Sequence, residues 1–246
     1  VKGDGMEERL LPRRNFLCGL AGTAVALAGI SRVAAEERQP HGGTKSEPLP
    51  KPSAGPQDFR WLIGALEGFS ATLVGEHVAL LERCRHRLVE VEAKDRDIDL
   101  ALADPLASRW RDHVLSWAEL HNSVRLHELY FETLTPKSVG VGEKISKVLA
   151  STFGSYDQWW VKFRATAVAV RAWAALVWDK RNRRLFNVGL DHDSSWPIEL
   201  VPLLVVDMAE HAYVLDFVGR PYAYLDAWIA RVDWGSVEVR LAGVMG

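Results

Sequence analysis

The run Val205-Val206-Asp207-Met208-Ala209-Glu210-His211 ends an apolar stretch in a carboxylate, and an imidazole follows four positions later. Held at the mouth of a buried strand, that pair is close enough to bind one metal ion. Two histidines upstream, His77 and His127, lie in contexts that would complete a set of three imidazoles and one carboxylate. Such a set suits iron or manganese. Zinc accepts the same donor types at about 2.0–2.2 Å but has no redox step. Each histidine taken alone reads more readily as a packed core or helix-face residue, and only the four together favour ligation. His86, His113 and His121 have no comparable context.

Elements that could position these groups follow from periodicity. Leu73, His77, Leu80, Leu81, Cys84 and Leu88 recur at three- and four-residue spacing, which predicts a helix over roughly 73–94. Asp104-Pro105 interrupts, and a second helix carries Trp110, Val114, Trp117, His121, Val124 and Leu126 towards Phe131, stopping near Pro136. Two long helices joined by a connector form an antiparallel hairpin. Beyond it, a short helix is expected over 142–149 and a longer one over 156–170. Three strand-like runs follow at 173–178, 185–190 and 200–206, with Asn182 marking the turn between the first two. A final amphipathic helix is expected over 222–232. The fold class is α+β: an N-terminal antiparallel helical hairpin, then an α/β domain with a small three-stranded antiparallel sheet. The expected domains are the hairpin at 58–137 and the C-terminal part at 138–246.

With 246 residues, 48% hydrophobic content and ten tryptophans, the chain has ample material for a core. A formal charge of −2 with scattered Arg and Lys gives no case for nucleic acid. The run Lys180-Arg181-Asn182-Arg183-Arg184 reads as a solvated turn between two strands.

Residues 1–35 read as an export signal. Arg13-Arg14 precedes Phe16-Leu17, an apolar stretch runs from Gly19 to Ile30, and Val33-Ala34-Ala35 is a candidate cleavage site. The pair of arginines resembles a twin-arginine signal; a general secretory signal or a short anchor is the alternative. The apolar stretch is shorter than the about 20 residues a membrane span needs, so the membrane is met only in transit. The expected destination is the periplasm or cell envelope. Residues 36–57, rich in Pro, Gly and charge, read as a disordered linker. Only Cys84 remains after removal of the signal, so no intrachain disulfide is available and packing and metal must supply stability.

The segment Asp207–Tyr213 resembles the metal-binding signature D-x-W-E-H-A-Y of the iron/manganese superoxide dismutases, with Ala209 in place of the tryptophan. Further stretches are similar to that family's motifs: Leu66-Glu67-Gly68 to its L-E-P, and the run from His127 to Pro136 to its H-x-x-Y/F-W-x-x-L-x-P. Phe153-Gly154-Ser155-Tyr156 resembles F-G-S-F, Trp173 lies where the sheet motif G-W-x-W has its first tryptophan, and Arg220-Pro221-Tyr222-Ala223-Tyr224 resembles R-P-x-Y. The likeness extends over about residues 62–240.

That resemblance implies a dismutase fold and the conversion of superoxide to oxygen and hydrogen peroxide. It implies one iron or manganese ion per subunit, bound by His77, His127, Asp207 and His211. His192 falls where the family has a residue that hydrogen-bonds metal-bound solvent and tunes its potential, or is a turn residue between two acids. Arg85 and Arg220 are candidates to attract the superoxide anion; for Arg85 the alternative is an ordinary surface arginine. A homodimer through the Glu210 region is implied. Several positions depart from the family: Arg85 and Leu81 replace its gateway tyrosine and a nearby histidine, Val214 replaces a tyrosine, and Ala209 and Phe131 replace tryptophans. Leu81 and Val214 replace both members of one hydrogen-bonded pair, a double loss that can be nearly neutral where a single loss costs about 1–3 kcal/mol. The alternative function is a metal-binding homologue without fast dismutation.

Overall fold

The computed structural model describes residues 57–137 and 140–245. The expected export signal and all of the expected linker but Gln57 lie outside them.

Helix α1 (Ala71–Ala93) begins where the Ser70 hydroxyl accepts the N–H of Leu73 at 3.0 Å. Capping of this kind satisfies one of the free donors of a first helical turn. Ser108 starts α2 (Arg109–Glu132) the same way, accepting from the N–H of Arg111 at 3.1 Å. The helices pair as the expected hairpin, but burial is uneven. On α1 it stops at Leu81, and on α2 it starts only at Ser123. At its far end α2 closes on Thr133, whose hydroxyl donates to the Tyr130 carbonyl at 2.8 Å.

Helix α3 (Glu143–Phe153) runs four residues past the expected end, to Gly154. There φ is +95°, and an added Cβ would lie 2.2 Å from Gln158 Oε1, so the turn into α4 (Tyr156–Val168) requires glycine. Helix α4 packs Trp159, Phe163 and Ala167 into the core.

The sheet has strand order β2-β1-β3 and is antiparallel throughout: β1 (Trp173–Asp179), β2 (Arg184–Leu190) and β3 (Leu200–Asp207). Central β1 is buried along almost its whole length, as its apolar run requires, while β2 alternates exposed and buried residues. The basic run is exposed, a turn over Lys180–Arg183 that enters β2 at Arg184. It is held by the Asp179 carboxylate, which accepts from the N–H groups of Arg181 and Asn182. Asn182 lies in this turn, as expected, and Arg183 takes the positive φ, 49°. Trp173 pairs with Asp207 across β1 and β3, and with Leu190 across β1 and β2. That end of the sheet therefore gathers the indole of Trp173, the carboxylate of Asp207 and the exit of β2.

After β3 come the short helix α5 (Val214–Phe217), α6 (Pro221–Ile229) and α7 (Trp234–Met245). The last helix is a correction: α6 ends before 232, and a further helix follows. Gly235, Gly243 and three valines weaken its sequence signal. The Asp233 carboxylate starts it, accepting from Gly235 N–H at 3.0 Å and the Ser236 hydroxyl at 2.6 Å. An isolated bridge, Leu134 to Val232, ties the hairpin's end to the C-terminal part, supported by Thr135 N–H to Arg231 O at 2.8 Å. The hairpin and the sheet thus share one hydrophobic core instead of forming two separate ones.

Candidate metal centre

Four side chains meet between the hairpin and the sheet end. α1 supplies His77, α2 supplies His127, β3 ends in Asp207, and His211 follows in a one-turn 3-10 segment, Glu210–Ala212. One donor atom from each lies within 4.8 Å of all the others. Asp207 Oδ2 is the common point: His211 Nε2 is 2.8 Å away, His77 Nε2 3.2 Å and His127 Nε2 3.5 Å.

Each donor is aimed by its own neighbours. His127 Nδ1 lies 2.7 Å from the Ser123 carbonyl, which can only accept, so Nδ1 carries the hydrogen and Nε2 keeps its lone pair. Asp207 Oδ1 accepts the N–H of Ala209 at 2.8 Å, which turns Oδ2 towards the imidazoles. The Tyr224 hydroxyl donates to the Asp207 carbonyl at 2.8 Å and lies 3.3 Å from the Tyr130 hydroxyl. The walls are aromatic: His77 packs on Tyr130 and Phe131, and His127 meets Trp173 edge-on with ring centres 4.9 Å apart.

His77, His127 and Asp207 are at most 3% exposed, whereas the His211 side chain is 41% exposed. Burial pushes the His77 imidazole below its ordinary value, against the pull of Asp207. Burial likewise lowers His127, to about 4. For Asp207 burial acts to raise the pKa, but the hydrogen bond of His211 and the close approach of His77 outweigh it and hold the group below the usual carboxylate range. His211 is partly desolvated, which lowers its pKa, but its bond to Asp207 prevails and raises it. At neutral pH the cluster is one carboxylate among mostly neutral imidazoles.

Two buried ring nitrogens, His77 Nε2 and His127 Nε2, have no aligned hydrogen-bond partner among the described residues. Such atoms are costly to bury unpaired. A cation between the four donors would satisfy both, so the residues fit a mononuclear metal ion bound by nitrogen and oxygen.

The other sequence candidates are placed differently. Arg85 is a strut within the hairpin and is only 12% exposed. Its guanidinium donates to Glu128 Oε1 at 2.8 Å, Glu82 Oε1 at 2.7 Å and the Gln57 carbonyl at 2.9 Å. With two acids on it, Arg85 offers no unpaired charge to an anion, and it is not an ordinary surface arginine either. Arg220 is exposed and donates to the Asp216 carbonyl at 3.0 Å. His192 is exposed and makes no side-chain hydrogen bond among the described residues. Its neighbour Asp193 takes the inward position, accepting the indole N–H of Trp173 at 2.6 Å. Asp193 was missed because two acids flank His192, and sequence alone does not say which side of the loop faces in. Leu81 is fully buried and Val214 half-buried.

Residues 141–240 match the family model for iron/manganese superoxide dismutases, C-terminal domain. An iron superoxide dismutase of Aquifex pyrophilus is 30% identical over 190 residues, covering 73% of this chain and 87% of the relative. One from Mycobacterium tuberculosis, also named for iron, is 34% identical over 124 residues, covering 47% of this chain and 58% of the relative. A manganese superoxide dismutase of Halobacterium salinarum is 35% identical over 120 residues, with the same two coverages.

Proposed function

Because this chain belongs to the iron/manganese superoxide dismutase family, we propose that it converts superoxide to oxygen and hydrogen peroxide at one iron or manganese ion per subunit. The ligands in this reading are His77, His127, Asp207 and His211. The observation that carries it is the convergence of four donor atoms within 4.8 Å, two of them buried nitrogens with no aligned hydrogen-bond partner among the described residues. Bound there, the ion supplies one-electron exchange: one superoxide gives up an electron and leaves as oxygen, and a second takes that electron and two protons and leaves as hydrogen peroxide. Asp207 offsets part of the ion's charge. The Ser123 carbonyl and the Ala209 N–H hold His127 and Asp207 in their binding orientations. His211, the one exposed donor, lies on the side open to solvent in the single chain.

A homodimer and export belong to the same reading. Glu210 and His211 are both exposed and adjacent, and a second subunit over this face would cover the open side of the centre. Arg13-Arg14 with the apolar stretch behind it supports export to the periplasm or envelope, where the enzyme would remove superoxide outside the cytoplasm. Changing both arginines to lysine is expected to retain the protein inside the cell.

The deciding experiment measures superoxide consumption per bound ion on chain loaded separately with iron and with manganese. Fast turnover with one metal supports the reading and identifies the cofactor. Tight binding with no turnover above that of free ion supports a metal-binding homologue without fast dismutation. One observation favours that second reading: Arg85, in place of the family's gateway tyrosine, is tied to two acids.

A further inference from the structure

We propose that the connector end of the helical hairpin, where α1 gives way to the segment leading to α2, binds a small free organic cation of the quaternary ammonium class.

The site is a cleft of about 330 Å³ lined by Glu92, Asp95, Trp110, His113, Val114 and Trp117. Small-molecule sites occupy about 300–1,000 Å³. The aromatic wall belongs to α2, where Trp110, His113, Val114 and Trp117 follow at three- and four-residue spacing and so share one face. Glu92, near the end of α1, and Asp95, in the one-turn 3-10 segment Asp95–Asp97, supply the acidic wall.

Core packing does not account for the indoles. Burial on α2 starts only at Ser123, so this face lies beyond the shared core, and Trp117 is 40% exposed. The wall is nonetheless ordered. His113 stacks on Trp110 with ring centres 5.2 Å apart, and His121 stacks on Trp117 at 4.9 Å. The Trp117 N–H donates to Glu92 Oε1 at 3.2 Å. Side chains already held in place lose little freedom when a ligand arrives.

Charge selects the ligand. No lysine or arginine lines the cleft. Among the described residues Glu92 and Asp95 have no lysine or arginine partner; Asp95 Oδ1 stands 3.7 Å from His113 Nε2. Two carboxylates repel an anion. A metal ion needs converging donors, and among the described residues such a group of three or more forms at the sheet end, not here. A neutral apolar molecule would strip water from both acids and return nothing. A cation whose charge is spread over methyl groups meets every wall. Its methyls pack on the indoles, whose faces attract positive charge, and it offsets the acids without directed hydrogen bonds. The same acids disfavour a cation that carries its own anion, as glycine betaine and the phosphocholine head of a lipid do.

The test titrates choline chloride into the full chain by calorimetry, with sodium chloride of equal ionic strength as the blank. One choline per chain is expected to bind, with a Kd of about 1 mM. W110A and W117A should each weaken binding about tenfold, whereas W117F, which keeps an aromatic face, should stay within about threefold of the parent. Glycine betaine should bind about tenfold more weakly than choline. If the alanine variants do not fold, E92Q combined with D95N carries the test and should weaken choline about tenfold. The proposal is overturned by the absence of heat above the blank up to about 50 mM choline, or by binding that the alanine variants leave unchanged. Betaine bound as tightly as choline overturns it too, as does capture by phosphatidylcholine vesicles that W110A abolishes. So does self-association that W117A abolishes in a chain indifferent to choline, since a second copy would then be what covers this face.

Discussion

The two ends of the helical hairpin have the same architecture and opposite chemistry. Five histidines lie on α1 and α2. At the near end, backed by β3, His77 and His127 are at most 3% exposed and share Asp207. At the far end, His86 stands 3.7 Å from Glu90 and His113 3.7 Å from Asp95, while His121 stacks on Trp117. Exposed apolar residues such as Val89, Leu102 and Leu115 surround that end. An imidazole near a carboxylate is therefore not enough to make a centre. What differs is the sheet, which removes water from two imidazoles and delivers a buried carboxylate to both.

The largest test of that contrast is Asp207→Asn. It keeps the shape and removes the shared charge. Bound metal, measured by elemental analysis after loading, is expected to fall from about one ion per chain to below about 0.1. Full retention would mean that the imidazoles alone suffice and that the sheet's carboxylate is dispensable.

Acidity sharpens the contrast within the centre itself. His211 has a raised pKa and is increasingly protonated as pH falls, whereas His127, held near 4, and the lowered His77 keep their lone pairs free of protons. Metal affinity between pH 5 and 6 should weaken about tenfold per unit on acidification, the slope for about one displaced proton. Calorimetry in buffers of different ionisation heat counts that proton directly. A count near three would show that burial does not keep the two helix imidazoles neutral.

A smaller effect is expected where the two ends join. Arg85→Met removes the strut to Glu128 and Glu82 and should lower urea stability by about 1–2 kcal/mol. The ionic-strength dependence of superoxide consumption should be unchanged. A loss of rate confined to low salt would restore Arg85 to an anion-steering role. Smallest of all, His113→Asn at the far end should change stability by less than about 0.5 kcal/mol and leave metal content alone.

Much of this was legible in the sequence, for reasons that differ by residue. The hairpin and the three strands follow from apolar periodicity, and Asp207 with His211 from a carboxylate closing an apolar run. The position of His77 on a buried stripe was readable too. The fate of Arg85 was not: its partners Glu128 and Gln57 lie 43 and 28 positions away. Asp193 was hidden for a related reason, since its inward turn is set by Trp173 and Asn122, 20 and 71 positions away. Helix α7 was lost to its glycines and valines, whose weak propensity is overridden by burial of Trp234, Val237 and Leu241.

The bond from His127 Nδ1 to the Ser123 carbonyl stays within one turn of helix. Contacts that local form in about a microsecond or less, well before distant strands find each other. Asp207, by contrast, reaches its place only when β3 has paired with β1. A newly made chain therefore passes through an interval in which imidazole is already aimed and carboxylate has yet to arrive. Ions met in that interval face neutral nitrogen donors, which favour copper and zinc over harder ions. Refolding with zinc added before or after strand pairing, in competition with manganese, should give more zinc in the early case; equal loading would show that the order does not matter. The metal a molecule carries would then record when in its folding the metal was met, as well as the geometry it finally attains.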